Sequence, residues 1–472
     1  MMEFTSSPIS RRQLLSRAAG GFGAIAASAM LADLCASEQK SAPIDPLAPK
    51  PGHFPAQAKN VIFLFMGGGV SHVDTFDPKP KLIEDHNKSL KVDNYRGHLG
   101  EFSQYFKRPQ WDFHPRGRSG IEVSDLFPYV GDVVDELCVI RSLSGDHTAH
   151  YEATLGMHTG SFSFARPSMG SWISYGLGTE NQNLPSFVVI TGATPYARGQ
   201  NWNNDFLPGC HQGMQVSPGS TPIANIDRRV ASSNLQTMEL DLLRQMNRQH
   251  LVDHPHDDQL EARIRSFETA FGMQSEAPDV FDLSKETQAT LDLYGLQPGQ
   301  TTGFGWQCLI ARRMVEHGVR FVECIDVGSS NNWDDHGDML NHARLAKNVD
   351  QPIAALIRDL KQRGMLEDTL VVWTTEFGRT PYMADKDAKG RDHHHQVFSS
   401  WMAGAGLKKG IVHGASDDYG MAVAENRVHV HDFHATILHL LGIDHTRLTY
   451  RHSGRDYRLT DVFGNVVSQI LA

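Results

Sequence analysis

The chain has 472 residues, 40% apolar and 21% charged, with 42 glycines and 22 prolines. That composition excludes a disordered or fibrous protein and fits one large α/β domain with insertions, or two ordinary domains. The formal charge of −10, from 54 acidic and 44 basic residues with no long Lys/Arg block, removes the usual footprint of nucleic-acid binding.

The stretch from Arg11 and Arg12 through a leucine pair to the weakly apolar run Ala18–Ala32 has the pattern of a twin-arginine export signal. Its apolar part is too short and too rich in Ala and Gly for a membrane span. Residues 1–36 are therefore expected to act as an address, with cleavage after Ala29 or Ala36, and an uncleaved anchor is the alternative. Residues 37–59 are polar and Pro-rich and read as a linker. No second apolar run of about 18 residues follows, so the mature chain is expected to be periplasmic or extracellular, without a transmembrane span. Cys138, Cys210, Cys308 and Cys324 show no CxxC spacing, which leaves buried thiols or at most two bridges.

From Asn60 the run NVIFLFMGGG predicts a buried parallel strand opening into a glycine turn. Residues 80–120 are polar and irregular. A helix and a strand follow in DLFPYVGDVVDELCVIRSL, then a short helix ending at Gly160, then a strand over Ser186–Thr191. About 225–295 is helical throughout and reads as an insertion. Two helix–strand units complete the pattern, ending in FVECIDV and TLVVW. Alternating strands and crossover helices imply an α/β fold, a mostly parallel sheet with helices on both faces, and ligands beyond the carboxyl ends of the strands.

The strand ends carry the candidate chemistry. NNWDDHGDM places Asp334, Asp335, His336 and Asp338 together, and carboxylates beside an imidazole suit a divalent cation. A solvated loop with an Asx turn or helix cap is the plainer alternative. The 25 histidines of the chain lean the same way, since imidazole is both metal ligand and near-neutral acid/base. In RDHHHQ, an extended backbone would put His393 and His395 on one side and His394 on the other. Arg391 could grip an anion in bidentate fashion. In TTEFGRTP, Glu376 is a candidate ligand or base and Arg379 a candidate anion clamp, unless the two pair with each other. MGGGVSHVDTFD offers Ser71, His72 and Asp74 without a nucleophile elbow, and no GxGxxG or GxxxxGK[ST] supports nucleotide binding.

Taken together, FLFMGGGVSHVDTFDPKP, VIRSLSGDHTAHYEATLGMHTG, NNWDDHGD, LEDTLVVWTTEFGRTP, GRDHHHQVFSSWMAGAG and HATILHLLGI resemble the DUF1501 family over roughly Asn60–Ala472, with the helical middle matching least. That family is a twin-arginine-exported, sulfatase-like branch of the alkaline phosphatase superfamily. The resemblance implies an alkaline-phosphatase-like three-layer sandwich over 60–472 and a hydrolase of sulfate or phosphate esters that uses divalent metal. The implied substrate is an anionic ester, such as a sulfated or phosphorylated glycan. Position by position, the nucleophile of the superfamily falls on His150, and the formylglycine motif C/S-x-P-x-R is absent. The metal-binding Asp expected after the first strand is replaced by Gly67–Gly69, with Asp74 the nearest substitute. A late Asp-His pair falls on Glu376 and Phe377, a final histidine on His393 or His394, and earlier ligands on Asp334 and His336. The resemblance thus gives His150 as nucleophile or acid/base, and Arg379 and Arg391 on the substrate anion. The missing hydroxyl at 150 and the Phe at 377 favour an alternative, a non-catalytic periplasmic binding protein for an anionic glycan or a protein partner. A metal carrier is the third reading, weakened because the histidines are scattered.

Overall fold

The computed structural model describes residues 45–93, 100–226, 233–253 and 258–472. The expected export segment 1–36, the first part of the expected linker and two short pieces of the helical stretch lie outside these residues.

Among the described residues, nine strands form one sheet. They are β1 (Asn60–Phe65), β2 (Leu137–Ser144), β3 (Phe187–Thr191), β4 (Met214–Val216), β5 (Phe321–Ile325), β6 (Thr369–Thr374), β7 (Phe398–Gly404), β8 (Ile411–His413) and β9 (Val428–His429). The order is β8-β2-β7-β6-β1-β5-β3-β4, with β9 also paired to β2. β7 runs antiparallel to both its neighbours, and every other pairing is parallel. All six residues of β1 are buried, which explains why its sequence is a continuous apolar run and not an alternating one.

Helices cover both faces. Ile62, Leu64, Val322 and Val371 pack on one side against α5 (Phe304–Glu316) and α6 (His342–Gln362). α6 turns Leu345, Val349, Ile353, Leu356 and Leu360 inward, a stripe at helical spacing. Val61, Phe63, Phe65 and Val372 pack on the other side against α1 (His150–Thr159), α2 (Met169–Leu177) and α7 (Val430–Leu440). The fold is thus the expected three-layer α/β sandwich with a mostly parallel sheet. α3 (Ser233–Asp253) and α4 (Asp258–Phe281) occupy the helical stretch, and α4 adds Met273, Ala277 and Val280 to the first core.

The polar segment 80–120 is more regular than its sequence suggests. Ser89–Asp93 and Glu101–Phe106 pair as strands and are joined by Tyr382–Met383. Ser89–Asp93 is largely exposed, so it carries no hydrophobic run that would betray a strand. The four cysteines from Cys138 onward are free thiols. Among the described residues, no helix is long and apolar enough to cross a membrane.

Strand direction fixes where side chains gather. β6, β1 and β5 lie side by side and parallel, and β2 runs the same way, so the chain leaves all four at one edge of the sheet. Because β7 is antiparallel, it enters from that same edge, bringing residues 393–397 with it. A short antiparallel ladder pairs Arg379 with His393 and Gly378 with His394.

Candidate metal centre

Five connections at that edge build one cluster. The glycine turn after β1 is obligatory: Gly68 has φ 117°, and a Cβ there would lie 2.6 Å from the Trp333 nitrogen and 2.8 Å from that of Asp334. Its amide donates to Glu376 Oε1 at 2.9 Å. The loop after β2 delivers His150 as the first residue of α1, the loop after β5 delivers Asp334 and His336, and the two-residue strand before β7 delivers His393.

The three imidazoles share one arrangement. His393 Nδ1 lies 2.6 Å from the Thr148 carbonyl, which only accepts, so the proton sits on Nδ1 and Nε2 carries a lone pair. His336 Nδ1 lies 3.0 Å from Asp392 Oδ1, and His150 Nδ1 lies 2.7 Å from Glu376 Oε1. The Nε2 atoms converge on Asp334. His336 Nε2 is 2.9 Å from Asp334 Oδ1 and 2.9 Å from His393 Nε2, and His393 Nε2 is 3.1 Å from the same oxygen. His150 Nε2 is 3.1 Å from Asp334 Oδ2, yet it is buried and lacks hydrogen-bond geometry to any partner. One ligand atom each from His150, Asp334 and His393 falls within 4.8 Å of the others.

Lone pairs facing a carboxylate repel unless positive charge lies between them. A proton is one such charge: Asp334 and Asp392 hydrogen-bond His336 and raise it to about 9. A divalent ion is the other, and the donor set fits it. Imidazoles whose far nitrogens are fixed by oxygen acceptors are the usual metal-binding form, and three of them with one carboxylate suit first-row transition ions better than Mg²⁺ or Ca²⁺. Burial opposes ionisation of Asp334, but the three imidazoles facing it and the charge of Arg379 hold it far below the carboxylate range. Burial likewise opposes charge on His150, and Asp334 and Glu376 outweigh it, so that its pKa is raised. Burial lowers His393, against the pull of Asp334.

The other expected site residues have different roles. Glu376 is fully buried and turned to the far nitrogen of His150, so it positions that ring and does not join the Nε2 atoms around Asp334. His394 faces away, as strand alternation requires, and binds the Met421 carbonyl at 2.8 Å. Asp74, the substitute metal ligand, instead meets Arg391 Nε at 2.7 Å and the Gln110 amide at 2.8 Å. Arg391 spends its remaining donors on the carbonyls of Thr380, Lys107 and Arg108. Arg379 does the same with Gly69, Gly68, Arg391 and Trp333 and meets Asp334 Oδ1 at 2.6 Å. Both guanidiniums are buried struts, so the expected anion clamps are corrected to structural roles. Of the remaining acidic residues, Asp335 pairs with His342 at 2.6 Å and Asp338 caps the turn at Leu340.

Sequence reasoning passed over Thr148, Asp392, Asn332 and Tyr196. Asp392 adjoins the histidine triplet and had that signal. Tyr196 had none, coming from an irregular loop, yet its ring stacks on His150 at 4.2 Å and 4°. The cluster opens on a cleft of about 1080 Å³ lined by Thr148, His150, His336, Asp392, His393 and His395. Among the described residues, no Arg or Lys lines it.

Fold and site together define an α/β protein in which His150, His336 and His393 gather around Asp334 beyond the carboxyl edge of the sheet. The chain belongs to the DUF1501 family, described as a protein of unknown function, whose model matches residues 58–471. No curated protein matches it. Among solved structures it is similar to the PsFucS1 sulfatase from Pseudoalteromonas sp., at 12% identity and TM-score 0.34, covering 82% of this chain and 68% of that one. It is similar to a protein in the alkaline phosphatase superfamily from Vibrio parahaemolyticus, at 10% identity and TM-score 0.34, covering 87% and 73%. A phosphonate monoester hydrolase from Silicibacter pomeroyi is similar at 10% identity and TM-score 0.34, covering 81% and 73%.

Proposed function

We propose that the protein is an exported, metal-dependent hydrolase of sulfate or phosphate esters, acting on an anionic ester such as a modified glycan. One observation carries this reading: the Nε2 atoms of His150, His336 and His393 each lie within 3.1 Å of an Asp334 carboxylate oxygen, while an oxygen acceptor fixes the far nitrogen of each ring. His150, His336, His393 and Asp334 would hold the ion, which when bound supplies Lewis-acid neutralisation of charge on the ester oxygens.

The chain's own residues do the positioning. Glu376 sets the tautomer of His150, Asp392 that of His336 and the Thr148 carbonyl that of His393, while Arg379 braces Asp334. Glu376 engages His150 Nδ1 and the ion would engage Nε2, so in this reading His150 serves as a ligand and the attacking group is water. A non-catalytic binding protein is the second reading, favoured by one observation, that Arg379 and Arg391 are spent inside the fold.

Elemental analysis of protein purified without chelator or histidine tag, with a panel of aryl and alkyl sulfate and phosphate esters, tests both. We expect near-stoichiometric transition metal, its loss in His393→Ala and Asp334→Ala, and metal-dependent release of sulfate or phosphate. Metal without turnover selects the binding protein; folded protein without metal refutes the centre.

A further inference from the structure

Tyr196 is half-buried beside the centre, with its ring parallel to that of His150 at 4.2 Å. Its hydroxyl has one defined partner. Asn332 Oδ1 accepts the Asp334 amide at 3.1 Å, so its other atom is the NH2, which donates to the Gly328 carbonyl at 3.0 Å and to Tyr196 Oη at 3.2 Å. Asn332 thus ties the phenol oxygen to the backbone of the metal-ligand candidate Asp334. That oxygen accepts, and among the described residues its own proton goes to no acceptor in the protein.

The loop is held for this placement. Asn201 Nδ2 grips the Tyr196 carbonyl at 2.8 Å, and Tyr151, on the exposed face of α1, binds Gln200 Oε1 at 2.8 Å. Directly after Tyr196, Ala197 and Arg198 both take left-handed backbone, with φ 58° and 50°. Two consecutive non-glycine residues in that region are uncommon, and such strain persists where the surroundings over-determine it.

We propose that Tyr196 is the proton donor to the leaving oxygen of the ester. This rests on the hydrolase reading. Water attacks sulfur or phosphorus, the bond from that atom to the leaving oxygen breaks with its electron pair going to that oxygen, and the Tyr196 O–H proton transfers to it, releasing an alcohol. The proton lost by the attacking water returns to the phenolate through solvent, so ester and water become alcohol and the acid anion. A phenol is a strong enough acid to serve an alkoxide, which is much the stronger base, while a nitrophenolate leaves almost without help. The phenyl ring that remains in Tyr196→Phe keeps the stack on His150.

The experiment compares wild type with Tyr196→Phe, both metal-loaded, on 4-nitrophenyl and on simple alkyl esters of the hydrolysed acid, with metal content measured in each. We expect equal metal content, a loss of about 10²–10⁴-fold on the alkyl ester, and a loss at least tenfold smaller on the nitrophenyl ester. Equal losses on both esters, no loss on the alkyl ester, or loss of metal would overturn the role of Tyr196 while leaving the hydrolase standing. A metal-loaded wild type that cleaves neither ester nor any other of the panel overturns the hydrolase, and this donor with it.

Discussion

Replacing Glu376 by Gln separates a residue that orients a ligand from one that binds the ion. Glu376 is fully buried and receives three donors: His150 Nδ1 at 2.7 Å, the Gly68 amide at 2.9 Å and Thr375 Oγ1 at 3.0 Å. A glutamine fits the same space. Its carbonyl oxygen can keep His150 and Gly68, and its NH2 can turn to Thr375, whose hydroxyl also accepts. What disappears is the negative charge that makes His150 a better donor of electrons. Removing such a partner of a ligating histidine typically costs 10–100-fold in metal affinity, about 1.4–2.7 kcal/mol. Titration calorimetry of chelator-stripped protein with Zn²⁺ measures this directly, with His393→Ala as the reference for a missing ligand. A Zn²⁺ affinity within about twofold of wild type would refute the coupling of Glu376 to the centre. A loss as complete as that of His393→Ala would make Glu376 a ligand and refute the geometry argued above.

Three other outcomes follow from the same distances. A ligating imidazole is unprotonated, and His336 is held up to about 9 while His150 is raised as well, so Zn²⁺ affinity should rise by at least about tenfold per pH unit below those values and flatten once both rings are neutral, with proton release measured in buffers of different ionisation enthalpy. Asp74→Asn leaves Arg391 buried without its carboxylate and should cost about 3–5 kcal/mol in urea unfolding, with Zn²⁺ affinity kept near wild type. His158 and Glu323 form a buried pair at 2.6 Å that ties α1 to β5, and Glu323→Ala should cost about 3–5 kcal/mol as well. Burial opposes charge on His158, but Glu323 outweighs it and raises the pKa. The stability this pair adds is therefore full below about pH 6.5 and lost as pH rises through the raised value, which urea midpoints across pH would reveal.

The edge of the sheet where the site lies was legible because strand ends are local: a buried apolar run followed by polar residues marks each exit, and the rule for parallel sheets brings the exits together. Asp334, His336 and Glu376 were reachable that way. What one strand end does to another was not. Asp74 and Arg391 carry the same chemical suggestion as Asp334 and His393, yet they neutralise each other across 317 positions of sequence. Arg379 likewise meets Asp334 across 45 positions, and its other donors go to backbone carbonyls that no residue pattern advertises. His394 was separable from His393 by strand alternation alone. The Thr148 carbonyl, which decides the tautomer of His393, belongs to the backbone and has no signature at all.

The candidate ligands stand at positions 150, 334, 336 and 393, on three separate connections, so the unfolded chain holds no preformed site and ion binding is coupled to folding. If residues 1–36 act as the twin-arginine address that their sequence suggests, the chain crosses the membrane already folded, and its ion is chosen in the cytoplasm. Changing both Arg11 and Arg12 to Lys should then leave protein in the cytoplasm with the same metal, in the same amount, as the exported wild type. Elemental analysis of the two pools decides it. A retained protein that is folded but empty, beside an exported one that is loaded, would place ion selection outside the cell membrane and make folding possible without the ion.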